Sequence, residues 1–309
     1  MGHLIEQLAS GSGLLENDVR KIVATAHRRY KHYTIKKRNG EDRPISQPAK
    51  EVKLLQRLFQ KQFLQNLPVH PSATAYEKGL SIKENAGRHM HNGPILKLDF
   101  KNFFPSIKAS DWVAYTEAHG LLDDLEDREL SARLLFKSTR TSAGMRLAIG
   151  APTSPHISNL LMYDFDRLMA ERAAREMVTY TRYADDLTFS AKRTGYLQPI
   201  EKIVRTTLRE INRPRLTLND EKTVFATTKY RRVVTGLTLT NDGTISIGRE
   251  RKKLIRAMIH HYEKGLLDAE NLRKLVGLLA FANDAEPAFV LRMKLKYGEK
   301  LMAEILDLS

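Results

Sequence analysis

The alternation of apolar and polar residues predicts two short strands on either side of the sequence Tyr-Ala-Asp-Asp at 183–186. Residues 178–182 are rich in strand-favouring side chains, and residues 187–191 alternate strictly between apolar and polar. Two strands joined by so short a turn form a β-hairpin, with Asp185 and Asp186 at its tip. Acidic residues suit turns, so a plain turn is one interpretation. Adjacent carboxylates repel each other, however, which favours a bound hard cation such as Mg²⁺.

A third strand is predicted over residues 95–100. Leu96, Leu98 and Phe100 fall on one face at period two, and Lys97 and Asp99 fall on the other. Alone, Asp99 would be interpreted as an ordinary solvated acid. Phosphoryl transfer with two metal ions needs a further carboxylate from a neighbouring strand, so the hairpin acids and Asp99 together predict a catalytic site.

The remaining pattern predicts a mixed α+β chain. Helical periodicity is expected over residues 1–30, 50–67, 155–168, 199–211 and from 249 onwards. Hairpins are expected at 32–45, around an Asn-Gly turn, and at 237–247, around Asn-Asp-Gly. Residues 68–93 are predicted to be a loop. Ser154 is expected to cap the helix that follows it, and the scattered helical acids, Asp166 among them, to be surface charges or caps.

Composition narrows the partners of such a chain. Its 309 residues contain 51 Lys and Arg against 36 Asp and Glu, a formal net charge of +15. This excess favours a polyanion, nucleic acid first and an anionic membrane surface second. No apolar run approaches the roughly 20 residues of a membrane span, and no signal peptide is expected. The absence of cysteine excludes disulfides and thiolate zinc sites, and fits a reducing cytoplasm.

Four short motifs, in this order and spacing, resemble those of retron-type reverse transcriptases. Residues 98–104 are similar to the family's first catalytic motif, and 183–186 to its Tyr-x-Asp-Asp box. Residues 85–89 resemble its Asn-Ala-x-x-His segment, and 234–236 its Val-Thr-Gly triplet. The resemblance implies a right-hand polymerase architecture of fingers, palm and thumb, with an antiparallel palm sheet backed by helices and a helical thumb.

The resemblance also implies roles for individual residues. Asp99, Asp185 and Asp186 would be catalytic and would bind two Mg²⁺, with Phe100 contributing to the metal site. The expected nucleotide-binding residues are Arg43, Phe100, Phe104, Ile149 and Lys222. The expected RNA-binding residues are Asn85, His89, Val234, Thr235, Gly236, Arg251, Lys252 and Arg256.

Four of the expected nucleotide contacts have a specific role or a specific doubt attached to them. Arg43 would face the triphosphate, and Lys222 would be a general acid or a phosphate clamp, although both could be solvated surface cations. Phe104 would exclude a 2′-hydroxyl, unless Phe103 takes that place; one of the two rings is expected in the core. Ile149 stands where the family has Gln, which puts the geometry of the bound nucleotide in question.

The RNA contacts carry alternatives as well. The segment holding Asn85 and His89 would either contact the template RNA or prop the palm. The thumb helix from residue 249 has a basic face opposite an apolar stripe that includes Leu254, and this face would either bind an RNA stem or simply be solvated. We expect an N-terminal helical segment at 1–30, fingers at 31–93, a palm at 94–236 and a thumb at 237–309.

The function implied by the resemblance is RNA-directed DNA synthesis. Retrons, as a family, prime from a 2′-hydroxyl of a guanosine in their own structured non-coding RNA, and copy part of that RNA into branched multicopy single-stranded DNA (msDNA). They serve in anti-phage defence, usually beside a separate effector protein. The alternatives are a reverse transcriptase of group II intron origin, against which the short chain argues, and a structural RNA-binding component with an idle polymerase site. No membrane partner is expected.

Overall fold

In the computed structural model, which describes residues 3–37, 40–138 and 144–307, a four-stranded antiparallel sheet carries the predicted acids. Its strands run in the order β6-β7-β3-β8, and we call it the palm sheet. The strands of the described residues are β1 (Tyr30–Lys36), β2 (Asp42–Pro48), β3 (Ile95–Asp99), β4 (Lys137–Ser138), β5 (Met145–Arg146), β6 (Thr179–Tyr183), β7 (Asp186–Ser190), β8 (Val224–Ala226), β9 (Arg232–Val234), β10 (Leu237–Leu239) and β11 (Ile245–Ser246).

Helices surround this sheet and make up both ends of the chain. The α-helices of the described residues are α1 (His3–Ser12), α2 (Glu16–Ala26), α3 (Lys50–Phe59), α4 (Ile82–Gly87), α5 (Phe103–Ser106), α6 (Ala109–Ala118), α7 (Leu125–Leu135), α8 (Ser154–Leu161), α9 (Tyr163–Arg175), α10 (Ile200–Glu210), α11 (Arg249–Glu263), α12 (Ala269–Ala285), α13 (Pro287–Tyr297) and α14 (Glu299–Asp307). The mixed architecture and the antiparallel sheet agree with the predicted α+β class.

The palm sheet follows from the period-two pattern in its strands. Leu96 and Leu98 of β3 are buried, as are Leu187 and Phe189 of β7. Pairing of β3 with β7 sets Leu98 opposite Leu187 and Leu96 opposite Phe189, so that apolar side chains meet on the same face. A shift of one residue would turn the apolar sets to opposite faces, so the pattern itself fixes this register.

Two hydrophobic cores each include residues of the palm sheet. The larger core joins α1, α2, α3 and α7 to α6, α8, α9 and α10, and includes Phe59, Trp112 and Phe165. The second joins the β9–β11 sheet to α11–α14, and reaches α4 through Ala86 and β3 through Ile95. We call α11–α14 the thumb helices.

Both predicted hairpins outside the palm sheet are confirmed. Strands β1 and β2 pair over their whole length, from Tyr30 with Pro48 to Lys36 with Asp42. The predicted Asn-Gly turn between them falls partly on residues 38 and 39, which lie outside the described residues. Strands β10 and β11 pair as expected around the turn that contains Gly243.

Several predicted element boundaries are wrong. The helix predicted over 50–67 is regular only to Phe59, and one wider turn, Gln60–Leu64, follows it. The predicted loop at 68–93 contains α4, whose first turn is capped by Ser81. The helix predicted from 155 is two helices, α8 and α9, and Ser154 is the first residue of α8 rather than its cap.

Candidate active site

Pairing within the palm sheet brings the three predicted carboxylates to one end of adjacent strands. The turn between β6 and β7 is only Ala184 and Asp185, and Tyr183 pairs with Asp186 across it. Asp99, the last residue of β3, pairs directly with Asp186. The backbone N–H of Phe100 donates to the carbonyl of Asp185 over 3.1 Å, which ties the end of β3 to the hairpin tip.

The three acids lie close enough to influence one another's charge, in surroundings that are partly shielded from water. Burial raises the pKa of Asp185 to about 6, and the charges of Asp99 and Asp186 add to the effect. Burial also raises the pKa of Asp186, and the neighbouring Asp99 carboxyl supports the shift against the opposing charge of Lys97. Such raised pKa values mark carboxylates whose negative charge is incompletely compensated.

Lys222 supplies a cation at this cluster. Its Nζ lies 2.9 Å from Asp99 Oδ1, with the Lys222 side chain 57% exposed and that of Asp99 9% exposed. The hydrogen bond to Asp99 raises the pKa of Lys222. The residue belongs to a short helical turn, Asp220–Lys222, next to the edge strand β8. The structure therefore brings Lys222 to the three acids.

The donor set fits a divalent hard cation in charge and in atom type. Three carboxylates converge from adjacent strands, and Mg²⁺ prefers oxygen ligands with one or two carboxylates completed by phosphate and water. Among the described residues, no group of three or more His, Cys, Asp or Glu side chains is arranged as a metal-binding site. The Phe100 side chain is buried, so this residue can contribute only backbone atoms, and it cannot place its ring against a nucleotide.

The hairpin of β1 and β2 contacts residues 149 and 150. The backbone N–H of Ser46 in β2 donates to the Ile149 carbonyl over 2.8 Å. Gly150 has φ +115°, and a Cβ there would lie 2.9 Å from Ile45 Cγ2, so only glycine allows the strand to come this close. Arg43 is exposed on the same strand. The predicted nucleotide residues Arg43 and Ile149 therefore lie on two segments that are bonded together.

Of Phe103 and Phe104, one side chain is buried and the other is not, as expected, but for a different reason. They begin helix α5 instead of continuing a strand, because Asn102 adopts a left-handed backbone with φ +50°. Phe103 is buried and stacks on Phe100 with ring centres 5.7 Å apart. Phe104 is partly exposed, and its ring centre lies 6.5 Å from that of Tyr76.

The expectation that the Asn85 and His89 side chains contact RNA is contradicted by their burial. Both are fully buried. His89 Nδ1 lies 2.7 Å from Ser190 Oγ, and His89 Nε2 lies 2.8 Å from Thr181 Oγ1. Asn85 Oδ1 accepts from Thr74 Oγ1 over 3.0 Å. These bonds run to β6, to β7 and to Thr74, which favours the alternative that the segment props the palm.

The Val-Thr-Gly triplet has the same inward character. Val234 is buried, and Thr235 Oγ1 donates to the carbonyl of Ile82 at the start of α4 over 2.9 Å. The Gly236 carbonyl accepts from Arg251 Nη1 over 2.7 Å. The triplet thus joins α4 to the first turn of α11, and the buried Val234 side chain offers no surface for RNA.

The basic residues of α11 divide into two groups. The Arg251 guanidinium carbon lies 5.1 Å from the centre of the Phe281 ring, and Lys252 Nζ lies 2.6 Å from Glu286 Oε1. Arg256 is exposed, although its guanidinium carbon lies 5.4 Å from the Phe289 ring centre. The prediction that all of these cations crowd a solvent face is therefore wrong for Arg251 and Lys252, which bind the neighbouring helices.

The apolar stripe of α11 also needs a correction. Ile255, Met258 and Ile259 are buried as predicted, but Leu254 is 40% exposed. Its position follows from the helix period, because Leu254 precedes the stripe by one residue and so lies about 100° around the helix from Ile255.

The buried ion pair between Asp166 of α9 and Arg182 of β6 is not predicted by the sequence analysis. Asp166 was expected at the surface, yet the side chains of Asp166 and Arg182 are both 0% exposed and lie 2.6 Å apart. A signal was present: Asp166 shares an inward helical spacing with the buried residues Met162, Met169 and Ala173. A charge on such a stripe calls for a buried partner.

Within residues 3–37, 40–138 and 144–307, every helix is too short or too polar to cross a bilayer.

Comparison with known proteins gives three consistent similarities. Residues 35–243 match the family model described as reverse transcriptase (RNA-dependent DNA polymerase). The chain is 36% identical to the retron Ec83 reverse transcriptase of Escherichia coli over 280 residues, covering 89% of each chain. It is 32% identical to the retron Ec73 reverse transcriptase of Escherichia coli, covering 88% of each.

A solved structure supports the fold alone. The telomerase of Candida albicans, in complex with a fragment of telomeric RNA, superposes with a TM-score of 0.51 at 14% identity. The match covers 98% of this chain and 58% of the telomerase chain. The right-hand polymerase arrangement expected from the motifs agrees with this similarity.

Proposed function

The chain belongs to the retron-type reverse transcriptases, which are RNA-directed DNA polymerases, and from that premise we propose that it copies part of its own retron's structured non-coding RNA into branched msDNA. The observation that carries the proposal is the pairing of Asp99 with Asp186 beside Asp185 in the two-residue turn. Three acids at the end of one sheet fit the carboxylate requirement of nucleotidyl transfer.

The catalytic acids would hold two Mg²⁺ ions. When bound, these ions would lower the pKa of the primer hydroxyl and neutralise charge on the leaving pyrophosphate. Asp185 and Asp186 would offer their side-chain oxygens, Asp99 would join them from β3, and Phe100 would add its backbone carbonyl. Because Lys222 now lies 2.9 Å from Asp99 Oδ1, its ammonium group would turn from Asp99 toward the pyrophosphate, as a proton donor or a phosphate clamp.

The remaining nucleotide contacts would surround the sugar and triphosphate. Arg43, exposed on β2, would offset the negative charge of the triphosphate. The partly exposed Phe104 ring would lie beneath the sugar and clash with a 2′-hydroxyl. Ile149 would contact the nucleotide through its apolar side chain, without the hydrogen bond that the family's Gln could donate.

RNA binding would rest on the exposed cations near the thumb. A cleft of about 640 Å³ between the β9–β11 sheet and α11 is lined in part by Lys229, Tyr230, Arg231 and Arg249. Together with Arg256 and the net charge of +15, these residues support contact with a structured RNA through its phosphates and shape. We also propose, from the resemblance of the motifs, that the fingers begin at residue 31, the palm at residue 94 and the thumb at residue 237.

The biological setting is also a proposal. We infer a cytoplasmic enzyme, on the basis of its cysteine-free sequence, that acts in anti-phage defence with a separate effector protein. Co-expression with the RNA encoded beside its gene, followed by sequencing of the co-purified nucleic acid, tests the msDNA proposal. A 2′-linked RNA–DNA branch in that material is the expected result, and an exclusively linear product would contradict the msDNA proposal.

A primer-extension assay tests the catalytic assignment. Asp186→Asn is expected to lower DNA synthesis on a pre-annealed RNA template by roughly 10³-fold, because the variant removes one charge from the metal-binding acids. RNA affinity should be unchanged, since the basic surface is intact. Asp164→Asn, the same substitution at an exposed acid in α9, is the matched control and should retain full activity. Near-normal extension by Asp186→Asn would remove the catalytic role, and no extension by the unmodified protein would favour an idle polymerase site.

A further inference from the structure

The guanidinium of Arg182 lies at the centre of a fully buried polar group. Arg182 belongs to β6, three residues before Asp185, and its Nε lies 2.9 Å from Asp166 Oδ1 and 3.1 Å from Asp166 Oδ2. Its Nη2 donates to Asp166 Oδ2 over 2.6 Å. Two sides of the planar fork are thereby fixed on α9, a helix that packs against β6.

The third side of the fork reaches the catalytic turn. Arg182 Nη1 donates to the backbone carbonyl of Ala184 and to Asn159 Oδ1, each over 3.1 Å. Asn159 is itself held, because its Nδ2 donates over 2.9 Å to the carbonyl of Ala75 and to Glu77 Oε1. Arg182 thus links the anchored groups on α8 and α9 to the turn.

The turn needs such a support. Ala184 has φ +57°, in the left-handed region that a residue with a Cβ rarely adopts, and it immediately precedes Asp185. Local preference does not select this conformation, so neighbouring groups must hold it. A buried ion pair adds little to stability compared with well-packed apolar side chains, which leaves the bond to Ala184 as its distinctive contribution.

We propose that Arg182 is a positioning residue for the catalytic turn. Asp166 and Asn159 orient its guanidinium, and its bond to the Ala184 carbonyl fixes the backbone that presents the Asp185 and Asp186 carboxylates. The proposal rests on the proposed catalytic role of these two acids. It assigns the charge pair a function in aligning metal ligands, in addition to any part in folding.

Two variants separate alignment from folding. Arg182→Lys keeps a buried cation for Asp166, but a single ammonium cannot also bridge Asn159 and Ala184. The double variant Arg182→Met with Asp166→Leu removes both charges together, and so leaves no unpaired buried ion. Tyr180→Phe is the matched control, because Tyr180 Oη donates to the same Asp166 Oδ1 over 2.7 Å and does not touch the turn.

The measurements are steady-state kinetics of primer extension, Mn²⁺ binding by electron paramagnetic resonance, and thermal unfolding. For both Arg182 variants we expect a kcat about 10²-fold lower, with the KM for nucleotides within about twofold of the unmodified protein. We expect the Mn²⁺ dissociation constant to rise by about tenfold or more, as for other groups that orient metal ligands. Tyr180→Phe should leave both quantities near those of the unmodified protein.

The outcomes distinguish this inference from the catalytic assignment. A folded Arg182→Lys protein with unchanged kcat and unchanged Mn²⁺ affinity would overturn the positioning role. An equal loss in Tyr180→Phe would also overturn it, because the effect would then belong to the interior as a whole. Failure of the double variant to fold would leave the decision to Arg182→Lys. If Asp186→Asn kept full activity, the catalytic assignment would fail instead, whatever the Arg182 variants show.

Discussion

Acidification should destabilise this protein through His89. The side chain is fully buried between Thr181 and Ser190, and burial lowers the His89 pKa from 6.5 to about 3. In the unfolded chain the residue takes up a proton as the pH falls below about 6.5, whereas the folded protein keeps the ring neutral. Its contribution is therefore fully present above pH 6.5 and is lost progressively as the pH falls toward 3. Between pH 7 and pH 5 this linkage costs about 2 kcal/mol of folding free energy.

Other groups titrate in the same range with the opposite sign. Burial raises the pKa of Asp185 to about 6, so the folded state binds a proton there more readily than the unfolded state, and acidification favours folding at that position. The decisive quantity is therefore a difference between two proteins in which Asp185 is the same. His89→Gln removes the titrating ring, and the stability advantage of the unmodified protein over this variant should shrink by about 2 kcal/mol from pH 7 to pH 5.

Urea unfolding at several pH values measures this difference. The single tryptophan, Trp112, is buried and reports on the larger core by its fluorescence. At a slope of about 2–4 kcal/mol per molar urea, the gap between the two midpoints should narrow by about 0.5–1 M. His260→Gln, the same substitution at an exposed thumb residue, is the control for the effect of the substitution itself. If the difference in midpoint between the unmodified protein and His89→Gln did not change with pH, and the variant bound RNA more weakly at neutral pH, the conclusion that His89 is buried and neutral would be refuted. The prediction that His89 contacts RNA would then stand again.

Three further predictions concern the substrate and the RNA. Phe104→Val should admit ribonucleotides in single-nucleotide extension assays, whereas Phe103→Val should lower stability by about 1–3 kcal/mol because that ring is buried; relaxed sugar selection in the second variant would exchange the two roles. Ile149→Gln should fold and change the KM for nucleotides, and identical constants would show that this side chain does not touch the substrate. Lys253→Ala combined with Arg256→Ala should reduce the salt dependence of RNA binding by about one to two units of slope, and an unchanged slope would exclude this face of α11 from the RNA interface.

The sequence predicts the hairpin of β6 and β7 well because its information is local. Alternation over 96–100 and 187–191 specifies which side chains face the core, and two strands that end in acids must place those acids near each other once they pair. The fold class follows from such elements together with the motif order. Element ends are less well predicted: the break between α8 and α9 at Met162 has no glycine or proline signal at that residue.

The support behind the site could not be predicted in the same way. The helical spacing of Asp166 predicts that its side chain faces inward. Its pairing with Arg182, however, depends on how α9 lies across β6. The two residues are 16 positions apart in different elements, so no periodicity of the sequence relates them. The histidine motif shows the same limit. The motif resemblance left open whether this segment contacts RNA or props the palm, and the tertiary structure turns Asn85 and His89 toward the interior.

These buried polar groups together explain why the segment at 85–89 and the hairpin of β6 and β7 would act as one unit. Thr74 Oγ1 donates to Asn85 Oδ1 and also lies 3.1 Å from the Arg182 carbonyl, so the segment reaches β6 through a single hydroxyl. His89 bonds to Thr181 on β6 and to Ser190 on β7, and thereby spans both strands of the hairpin. Because a buried donor or acceptor that loses its partner costs about 1–3 kcal/mol, these bonds resist relative movement of the strands. A substitution in the segment would then affect Asp185 and Asp186 by shifting the strands that carry them, without any contact to RNA.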